Sequence, residues 1–451
     1  MTAHVSYQTI GENRAKPRLW IEGHKLAAAG FTKGARYTLR AEGDVLELYL
    51  DPSGDRTVSG KATSTGDKPI VDIVLGPKNA DLPAGTRVRV LFRENRVSVR
   101  VHHEERARIT RESRFRAHLA GNALTEASMF TGGGISTHAI HTALRDYGQN
   151  AHLAWVVDAD TGYLDAAARG GHAITDATAM LVGRAEEIEP QFFQPVDILS
   201  FSMPCSTFSK AGKAKHGQAP EDHEGATALF GTMTAIRASN AAVLISENVV
   251  EAKDSPAYTL MKAELDRLGY VVHERVMDSA DTGTLENRKR YWFVALSKGI
   301  AEGFDFSLVH VAAAAAPTRI ADLLDTDVPE EAWFDASYFE AKAAKDAAEG
   351  KGFKRQILTG EETRCGTIGR FYAKRRSTEP FLAGPDGRQR LFTPTEHARM
   401  KSVPEKLVAH VNPTRAHEIL GQSVDWRQAY LAMAAVLAHL TGRLVPQVVR
   451  P

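Results

Sequence analysis

One cysteine of this sequence lies where a thiol could do chemistry. The chain has only two cysteines, Cys205 and Cys365, which are too few for a disulfide framework or a four-cysteine metal site. Cys205 follows Pro204 at the end of VDILSFSMPC, a run with the length and composition of a buried strand. Open α/β sheets present reacting groups at the carboxyl ends of their strands, and a thiol there can be exposed and activated. Although many lone cysteines are inert core residues, we predict that Cys205 is a nucleophile and that Cys365 is structural.

Charged side chains occur at similar places beside two other apolar runs. AAVLISENVV delivers Glu247 and Asn248 near its end, and DTGTLENRKRYWFVAL carries Arg288 and Arg290 two residues apart before its apolar run. In an extended chain this spacing points both arginines the same way, where they suit a phosphate or carboxylate or simply face solvent. If the strands are neighbours, one edge of a sheet gathers the Cys205 thiol, a carboxylate and two guanidinium groups.

A glycine-rich turn predicts a nucleotide-type ligand at the same edge. In MFTGGGIST, the glycines would let a nucleotide approach the backbone ahead of a helix. The next apolar run, HLAWVVDAD, reaches Asp158, where a carboxylate can accept hydrogen bonds from ribose hydroxyls or merely cap a turn. A nicotinamide-dependent oxidoreductase would also explain the glycine turn. It would not explain Pro-Cys followed by Glu-Asn at successive strand ends.

The elements that must position these residues alternate between strands and helices from about Leu124. Short apolar runs of strand length alternate with patterns of period near 3.6, which predicts an α/β fold with a doubly wound, mostly parallel sheet. We place this core at residues 125–308, a small recognition region at 309–388 and a segment that returns to the core at 389–451. The basic residues 106–124 are expected to be a linker into the core.

Residues 1–105 are expected to form a basic, β-rich accessory domain. Hydrophobicity alternates with period two from Arg36 to about Val101, with Gly and Pro between the runs. Residues 1–120 carry 21 Lys and Arg against 14 Asp and Glu, so this part either meets a polyanion or has an ordinary solvated surface. The stretch LWIEGHKLAAAGFTKGARYTL resembles small AbrB- or SymE-like swapped-hairpin domains, some of which bind DNA. Binding of DNA and dimerisation or partner binding are both open for this domain.

The last hairpin of this domain should have two chemically different faces. Val88 and Val90 would pair with Val97, Val99 and Val101 across a turn near residues 93–95. Four arginines would then project from the opposite face, which could bind phosphates or be a solvated surface: Arg87, Arg89, Arg96 and Arg100.

The order of the core motifs resembles that of the cytosine-5 DNA methyltransferase family. FxGxG, an acidic strand end, Pro-Cys, Glu-Asn-Val and NRxR follow one another in the family's order. RLFTPTEHARMKSVP is similar to the family's RxLTxxExARxxxxP segment, ILGQSVDWRQAYLAM to its GNSV helix, and GTIGRFYAKRRSTEPFL to the end of its target-recognition region. The resemblance covers about residues 125–445. It implies a Rossmann-like methyltransferase sheet with a small target-recognition region.

Carried over by position, the resemblance implies roles for individual residues. Cys205 would be the nucleophile, Glu247 would hold the cytosine ring, and Arg288 and Arg290 would support the target nucleotide. The methyl donor S-adenosylmethionine would be bound by Phe130, Gly132, Gly134, Asp158 at its ribose, Asp176 at its adenine, Pro204, Gln422 and Ser423, with Asp197, Phe201 and Ser202 lining the same pocket. The sequence departs from the family pattern at Asp158 for Glu, Ser206 for Gln, Glu286 for Gln and Gln422 for Asn. None of these departures removes a group that the reaction requires.

The implied activity is methyl transfer from S-adenosylmethionine to carbon 5 of a flipped-out cytosine in double-stranded DNA, in a restriction-modification setting. No run of apolar residues is long enough to span a membrane, so we expect a cytoplasmic, nucleoid-associated protein without a metal ion. A homodimer through the N-terminal domain remains open. Two alternatives are an RNA methyltransferase of the tRNA-acting type and a catalytically silent DNA-binding regulator, although the intact Cys205 and Glu247 argue against the regulator.

Overall fold

The chain folds into two compact units, residues 1–110 and residues 111–451. A computed structural model describes residues 4–43, 45–64, 66–76, 82–171, 173–205, 208, 224–308, 318–350, 355–384 and 386–443. The basic loop predicted to follow Cys205 lies outside these residues, apart from Phe208. Among the described residues, no helix combines the length and the apolar character that crossing a membrane requires.

The N-terminal unit is built from two antiparallel sheets, as the period-two pattern predicts. The six-stranded sheet has the order β1-β9-β10-β5-β4-β6, and the four-stranded sheet has the order β2-β3-β8-β7. Its elements are β1 (His4–Thr9), β2 (Gly11–Asn13), β3 (Lys16–Glu22), α1 (His24–Ala28), β4 (Arg36–Glu42), β5 (Val45–Leu50), β6 (Arg56–Thr57), β7 (Ser59–Thr63), β8 (Gly66–Val74), β9 (Arg87–Arg93) and β10 (Arg96–Val101). Side chains of both sheets and of α1 share one apolar core, which includes Leu19, Leu26, Phe31 and Leu48.

The hairpin of β9 and β10 has the register predicted from its valines. Val90 pairs with Val99 and Val88 pairs with Val101, and all four side chains are buried. The arginines of both strands alternate with these valines and therefore point to the other face of the sheet. The prediction of one apolar face and one basic face is confirmed.

The C-terminal unit contains a seven-stranded sheet of order β13-β12-β11-β14-β15-β17-β16. All neighbouring strands from β13 to β15 are parallel, and β17 runs antiparallel between β15 and β16. The strands of this sheet are β11 (Thr125–Met129), β12 (His152–Asp158), β13 (Ala179–Val182), β14 (Ile198–Phe201), β15 (Val243–Asn248), β16 (Tyr270–Met277) and β17 (Arg290–Ser297). The mostly parallel, Rossmann-like fold is confirmed. β14 and β15 are buried at every residue, which explains why they read as continuous apolar runs.

A small sheet and a set of helices complete this unit, and the first of these helices, α2, begins in the N-terminal unit. A three-stranded sheet, β18 (Gln356–Leu358), β19 (Pro380–Ala383) and β20 (Gln389–Arg390), lies in and just beyond the predicted recognition region. The described helices are α2 (His103–Ala120), α3 (Ile135–Asp146), α4 (Thr161–Gly170), α5 (Ala228–Ser239), α6 (Pro256–Arg267), α7 (Ser279–Thr282), α8 (Lys298–Ala301), α9 (Ser337–Ala348), α10 (Pro394–Met400), α11 (Pro413–Gln422) and α12 (Trp426–Thr441). α12 packs against α3, where Trp426 Nε1 donates a hydrogen bond to His138 Nδ1 at 3.0 Å. This contact supports the prediction that residues 389–451 return to the core.

The predicted linker at 106–124 is largely helical. Within the C-terminal unit, Arg111 Nε donates to Ser297 Oγ at 2.9 Å, and Arg114 Nε lies 3.2 Å from Asp197 Oδ1. Basic composition alone does not distinguish a solvated linker from a helix whose arginines cap strand ends. The other predicted domain boundaries, near 308 and 388, stay predictions.

Candidate active site

A cavity of about 570 Å³ opens at the carboxyl ends of the parallel strands. This is the edge at which the sequence predicts the reacting groups. Of the predicted site residues, those that line the cavity are Phe130, Gly132, Asp158, Ser202, Pro204, Cys205, Glu247, Arg288, Arg290, Gln422 and Ser423. The cavity also has a volume typical of a site for a small organic molecule.

The glycine turn between β11 and α3 forms one wall of the cavity. β11 ends at Met129, so the turn begins directly after the strand, and Phe130 and Gly132 both have positive φ angles, 55° and 54°. A Cβ atom on Gly133, which the sequence analysis did not single out, would lie 2.4 Å from Cγ2 of Ile419. Gly134 does not line the cavity; it precedes α3 with a φ of 76° and packs against Ala167 of α4. The two glycines are therefore needed for close packing of helices.

Asp158 ties the glycine turn to the end of β12. Its Oδ2 accepts a hydrogen bond from the Gly132 backbone N–H at 2.7 Å, and its Oδ1 accepts one from the Asp160 N–H at 2.9 Å. Burial raises the pKa of Asp158 above its ordinary value, although the hydrogen bonds from the two backbone donors act in the opposite direction. Each carboxylate oxygen retains a lone pair for a further donor, so Asp158 can bind hydroxyl groups of a ligand in the cavity.

A side-chain network at the rim of the cavity was missed at the sequence level. Tyr163 lines the cavity and accepts a hydrogen bond from Gln422 Nε2. The Arg415 guanidinium lies 4.1 Å from the centroid of the Tyr163 ring, and its Nη2 lies 2.6 Å from Oδ1 of Asp160. Asp160 and Arg415 are 255 positions apart, so no local pattern could have paired them. The network fastens α11 to the start of α4.

The predicted adenine-binding residue, Asp176, does not line the cavity. Asp176 is exposed and precedes β13, whereas the residues at the end of β13 and after it, Gly183, Arg184, Ala185 and Glu186, line the cavity. The assignment was wrong because β13 is a four-residue edge strand with three exposed side chains, so it carries no apolar run by which to recognise it. Arg184 stands where we had expected an acid.

The placement of Asp197 in this pocket was also wrong. Asp197 precedes β14, so it lies at the opposite edge of the sheet, where its Oδ2 accepts a hydrogen bond from the Thr125 N–H at 2.9 Å. Phe201 ends β14 and lines a separate small cavity next to the large one, and Ser202 lines both. Correct assignment of a strand therefore does not by itself say which of its ends faces the ligand.

Cys205, Glu247 and Arg290 line the same part of the cavity. Glu247 is the penultimate residue of β15 and lies beside Ser202, whose Oγ donates to Glu247 Oε2 at 2.8 Å. Arg290 Nε lies 3.0 Å from Glu247 Oε1. Glu247 is only 8% exposed, so this ion pair is shielded from water and fixes the carboxylate. Cys205, in contrast, is exposed. The arrangement offers a nucleophile to the cavity next to a fixed carboxylate.

The surroundings of Cys205 favour its neutral thiol over the thiolate. Desolvation by the surrounding protein and the negative charge of Glu247 raise the pKa of Cys205, while Arg290 and Arg288 lower it. Burial and the neighbouring Arg288 lower the pKa of Arg290 to about 10, so Arg290 remains a cation at neutral pH. The thiol is therefore held between one group that disfavours its thiolate and two that favour it.

Arg288 belongs to a buried network behind the cavity. Its Nη1 lies 3.2 Å from Glu286 Oε1, and its Nη2 donates to the Gly421 carbonyl at 3.1 Å. The Ile368 N–H donates to the same Glu286 oxygen, and Thr367 Oγ1 donates to the Asn287 carbonyl at 2.7 Å. Glu286, noted above as a departure from the family pattern, is thus the acid that pairs with Arg288.

Asn248 positions the loop that carries Cys205. Its Nδ2 donates to the Met203 carbonyl at 2.9 Å and to the Tyr258 hydroxyl at 3.0 Å, and its Oδ1 accepts from the Val249 N–H. Both polar atoms of the Asn248 side chain are therefore used in hydrogen bonds to neighbouring backbone and to the Tyr258 side chain. Within the described residues, no three His, Cys, Asp or Glu side chains come together as metal ligands.

The effect of the Glu247 charge on the pKa of Cys205 leads to a prediction about the reactivity of this cysteine. Glu247→Gln is expected to lower the pKa of Cys205 and so to raise the rate of its alkylation by iodoacetamide near neutral pH, because only the thiolate reacts. In the unchanged protein, the alkylation rate of Cys205 should continue to increase with pH above the pKa of an ordinary cysteine, because the pKa of Cys205 is raised. Peptide mass spectrometry measures labelling of Cys205 separately from the buried Cys365. Glu264→Gln, in the partly exposed α6, is the matched control, and a slower reaction in Glu247→Gln would contradict the prediction.

Known proteins resemble this chain in both sequence and structure. The family model for C-5 cytosine-specific DNA methylases matches residues 181–431. The type II methyltransferase M.NlaX of Neisseria lactamica is 29% identical over 235 residues, which are 51% of this chain and 72% of that enzyme. M.SsoII of Shigella sonnei is 24% identical over 54% of this chain and 64% of its own length.

Solved structures agree on the fold. The Entamoeba histolytica methyltransferase EhMeth superposes with a TM-score of 0.56 and 15% identity over 71% of this chain and 98% of that one. The S. pombe Dnmt2 methyltransferase superposes with a TM-score of 0.52 and 16% identity over 71% and 99%. The sequence match begins after the glycine turn and Asp158, but it includes Cys205, Glu247, both arginines and α11. Because the family model spans more than half of the sequence, the chain belongs to the C-5 cytosine-specific DNA methylase family.

Proposed function

We propose that this chain is an S-adenosylmethionine-dependent DNA (cytosine-5)-methyltransferase that forms a covalent adduct between Cys205 and its target base. One observation carries the proposal: an exposed thiol and a fixed carboxylate share a cavity with a glycine turn and an acid at a strand end. The thiol suits attack on a base, and the turn and the acid suit a nucleoside-type donor.

The residues of the cavity fit S-adenosylmethionine. A Cβ on Gly132 would meet nothing within 4 Å, so the glycine turn leaves room for a ligand there, and Asp158 keeps lone pairs for ribose hydroxyls. Tyr163 and Gln422 would close over the ligand from α4 and α11. When bound, the donor supplies a methyl group activated by its positive sulfur. Arg184 would not accept a hydrogen bond from an adenine amino group, so Glu186 or backbone carbonyls would have to do so.

Cys205 makes the reaction possible by adding to the ring. Carbon 5 of cytosine is too weak a nucleophile, but bond formation between the Cys205 sulfur and carbon 6 places an electron pair at carbon 5. Arg290 and Arg288 favour the thiolate that attacks. Glu247 can hold the N3 and amino edge of the ring by hydrogen bonding or protonation while this charge develops. After methylation, a water or hydroxide takes the carbon-5 proton and the sulfur leaves, which restores the aromatic ring.

The base can reach this cavity only outside the helix. Flipping a cytosine out of duplex DNA costs a few kcal/mol, which contacts of the protein with the opened duplex must offset. The buried network of Glu286 and Arg288 keeps one donor, the Arg288 Nε–H, without a hydrogen-bond partner among the described residues. Because this atom is buried, it could donate to the target nucleotide only after a local rearrangement of the side chains around Arg288.

Adduct formation tests the proposal directly. Long duplexes of random sequence that contain 5-fluorocytosine are incubated with the protein and S-adenosylmethionine, and the product is digested for mass spectrometry. Fluorine at carbon 5 cannot leave as a proton does, so we expect a methylated base attached to Cys205. An adduct on RNA but not on DNA would assign an RNA substrate, and no adduct on either would favour a regulator that binds without catalysis.

The packing of the glycine turn predicts a defect in donor binding. Gly133→Ala is expected to weaken S-adenosylmethionine binding by roughly 5- to 150-fold, the equivalent of about 1–3 kcal/mol for overpacking. Isothermal titration calorimetry measures the change. Adding Ile419→Ala removes the atoms that the new methyl group meets and should restore part of the affinity. Gly76→Ala, where nothing lies within 4 Å of the added carbon, is the control. Unchanged affinity in Gly133→Ala would contradict the prediction.

A further inference from the structure

One face of the six-stranded sheet in the N-terminal unit is rich in arginine. We call it the arginine face and define it by Arg40, Arg87, Arg89, Arg93, Arg96 and Arg100 on β4, β9 and β10. Across the β9–β10 hairpin, Arg89 is directly opposite Arg100 and Arg93 is directly opposite Arg96. Like charges opposite each other on neighbouring strands destabilise a sheet. Two such pairs in one hairpin therefore indicate that the face meets an anion.

The carboxylates on this face neutralise only part of its charge. Glu47 lies 2.8 Å from Arg96 and 3.9 Å from Arg100, and hydrogen bonding from Arg96 lowers the pKa of Glu47. Arg89 and Arg93 have no ion-pair partner among the described residues of the unit. Arg40 likewise has no ion-pair partner among the described residues, whereas Arg87 lies 3.2 Å from Glu104. The face thus has three arginines without an ion-pair partner, one that pairs with Glu104, and two that share Glu47.

The arginines enclose two adjacent small cavities. The first, of about 140 Å³, is lined by Leu91, Ser98 and the four arginines of the two opposed pairs. The second, of about 70 Å³, is lined by Arg89, Arg100, Val101, His103 and Arg106. Both are far smaller than a typical site for an organic ligand, but each suits a single tetrahedral anion. Because they share Arg89 and Arg100, they would hold two anionic groups that follow each other closely.

Two aromatic rings, one exposed and one half-buried, flank the basic cavities. Tyr7 on β1 is opposite Arg89 in the sheet and is 61% exposed. On β5, Tyr49 is opposite Arg96, and the guanidinium groups of Arg40 and Arg96 lie 5.4 and 5.2 Å from its ring centroid. Aromatic rings among arginines are typical of surfaces that contact sugars and bases next to phosphates.

We propose that the arginine face binds the phosphate backbone of double-stranded DNA and adds this affinity to that of the catalytic unit. The charge is complementary to a polyanion, and the paired cavities suit consecutive phosphate groups of one strand. A second copy of the same face would bring arginine against arginine, so self-association through it is disfavoured. The choice of duplex DNA rests on the proposed function. The contacts would carry no sequence information, because they go to phosphates.

The salt dependence of DNA binding tests the proposal in the full-length chain. Arg89→Gln combined with Arg93→Gln removes two phosphate contacts, so the slope of log affinity against log salt concentration should become shallower by about 1.8, at 0.9 for each contact. Fluorescence anisotropy of a labelled duplex over a KCl series gives the slope. Lys16→Gln combined with Lys61→Gln, on exposed positions of the four-stranded sheet, removes the same charge and should leave the slope unchanged.

Further variants separate charge from folding and from catalysis. Arg89→Lys with Arg93→Lys keeps both charges and should keep most of the slope, whereas a folding defect would not be rescued in this way. Equal slopes in the glutamine variant and the unchanged protein would overturn the proposal, as would an equal loss in the Lys16/Lys61 control. Adduct formation at saturating DNA, measured in parallel, should be unaffected. If no adduct forms even in the unchanged protein but the slope still shifts, the proposed reaction fails and the DNA-binding face stands.

Discussion

Cys205→Ala is expected to abolish methylation while leaving the binding of DNA and S-adenosylmethionine intact. The variant loses the only atom that can form the bond to carbon 6, and removal of a covalent nucleophile typically lowers kcat by roughly 10⁶-fold. Among the described residues, the hydrogen bonds of Asp158 and of the rim network do not involve Cys205, so the donor site should persist. Transfer of a labelled methyl group to unmethylated DNA measures the loss.

A matched substitution at the second cysteine controls for general effects of removing sulfur. Cys365 is buried and burial raises its pKa well above the ordinary value, so it should be inert. Cys365→Ala is therefore expected to lower stability modestly and to keep most of the methyl transfer. Turnover by Cys205→Ala above that of a sample without enzyme would refute the assignment of the nucleophile.

Glu396→Ala is expected to destabilise the C-terminal unit by about 3–5 kcal/mol, because it leaves a buried charge without its partner. Both oxygens of Glu396 contact the guanidinium of Arg390, at 2.6 and 2.8 Å, and both side chains are almost completely buried. The same carboxylate accepts hydrogen bonds from the N–H groups of Thr393 and Asp325. Urea unfolding followed by tryptophan fluorescence measures the loss.

A surface ion pair from the same segment is the control for this stability prediction. Arg399 Nε lies 2.6 Å from Glu405 Oε1, with about half of the glutamate side chain exposed. Exposed pairs contribute about 0–1 kcal/mol, so Glu405→Ala should shift the unfolding midpoint little. Similar unfolding midpoints for Glu396→Ala and Glu405→Ala would show that the buried ion pair contributes no more to the free energy of unfolding than the exposed one.

Glu396 also illustrates how much a sequence motif can predict. The pattern RxLTxxExARxxxxP was noted only as a resemblance, and its arginine and glutamate are here the partners Arg390 and Glu396. The threonine, Thr393, caps α10 by accepting a hydrogen bond from the Glu396 N–H at 3.1 Å. The motif is thus a helix start with a buried ion pair, and the sequence alone gives the residue types but not this pairing.

The strand ends of the catalytic site could be predicted because buried parallel strands have a clear sequence pattern. Cys205, Glu247 and Asp158 each come at or just after the end of an apolar run, and all three line one cavity. Gly183 and Arg184 were missed because β13 is short and exposed. Tyr163 and Arg415 were missed because residues that meet across hundreds of positions have no local signature.

The direction of strand β14 explains why the prediction that Asp197 lines the donor pocket was wrong. Asp197 and Ser202 flank the same strand, β14, yet one caps the amino end of the sheet and the other lines the cavity at the carboxyl end. A carboxylate at a strand start satisfies backbone donors, here those at Thr125, and so carries no information about the ligand. To predict whether a residue lines the cavity, one must therefore know at which end of its strand it lies as well as which strand it belongs to.

The packing of α12 on α3 has a consequence for how the protein is made. His138 and Trp426 are hydrogen-bonded across 288 positions of the chain, and α11, which closes the cavity, comes just before Trp426. At translation rates of roughly 5–20 residues per second, the ribosome adds the intervening residues over roughly 15–60 s. During that interval the glycine turn and then Cys205 have been synthesised, but the residues of α11 that line the cavity have not. We therefore expect a growing chain to expose the apolar face of α3 to chaperones and to acquire its donor site only after α11 and α12 have been synthesised.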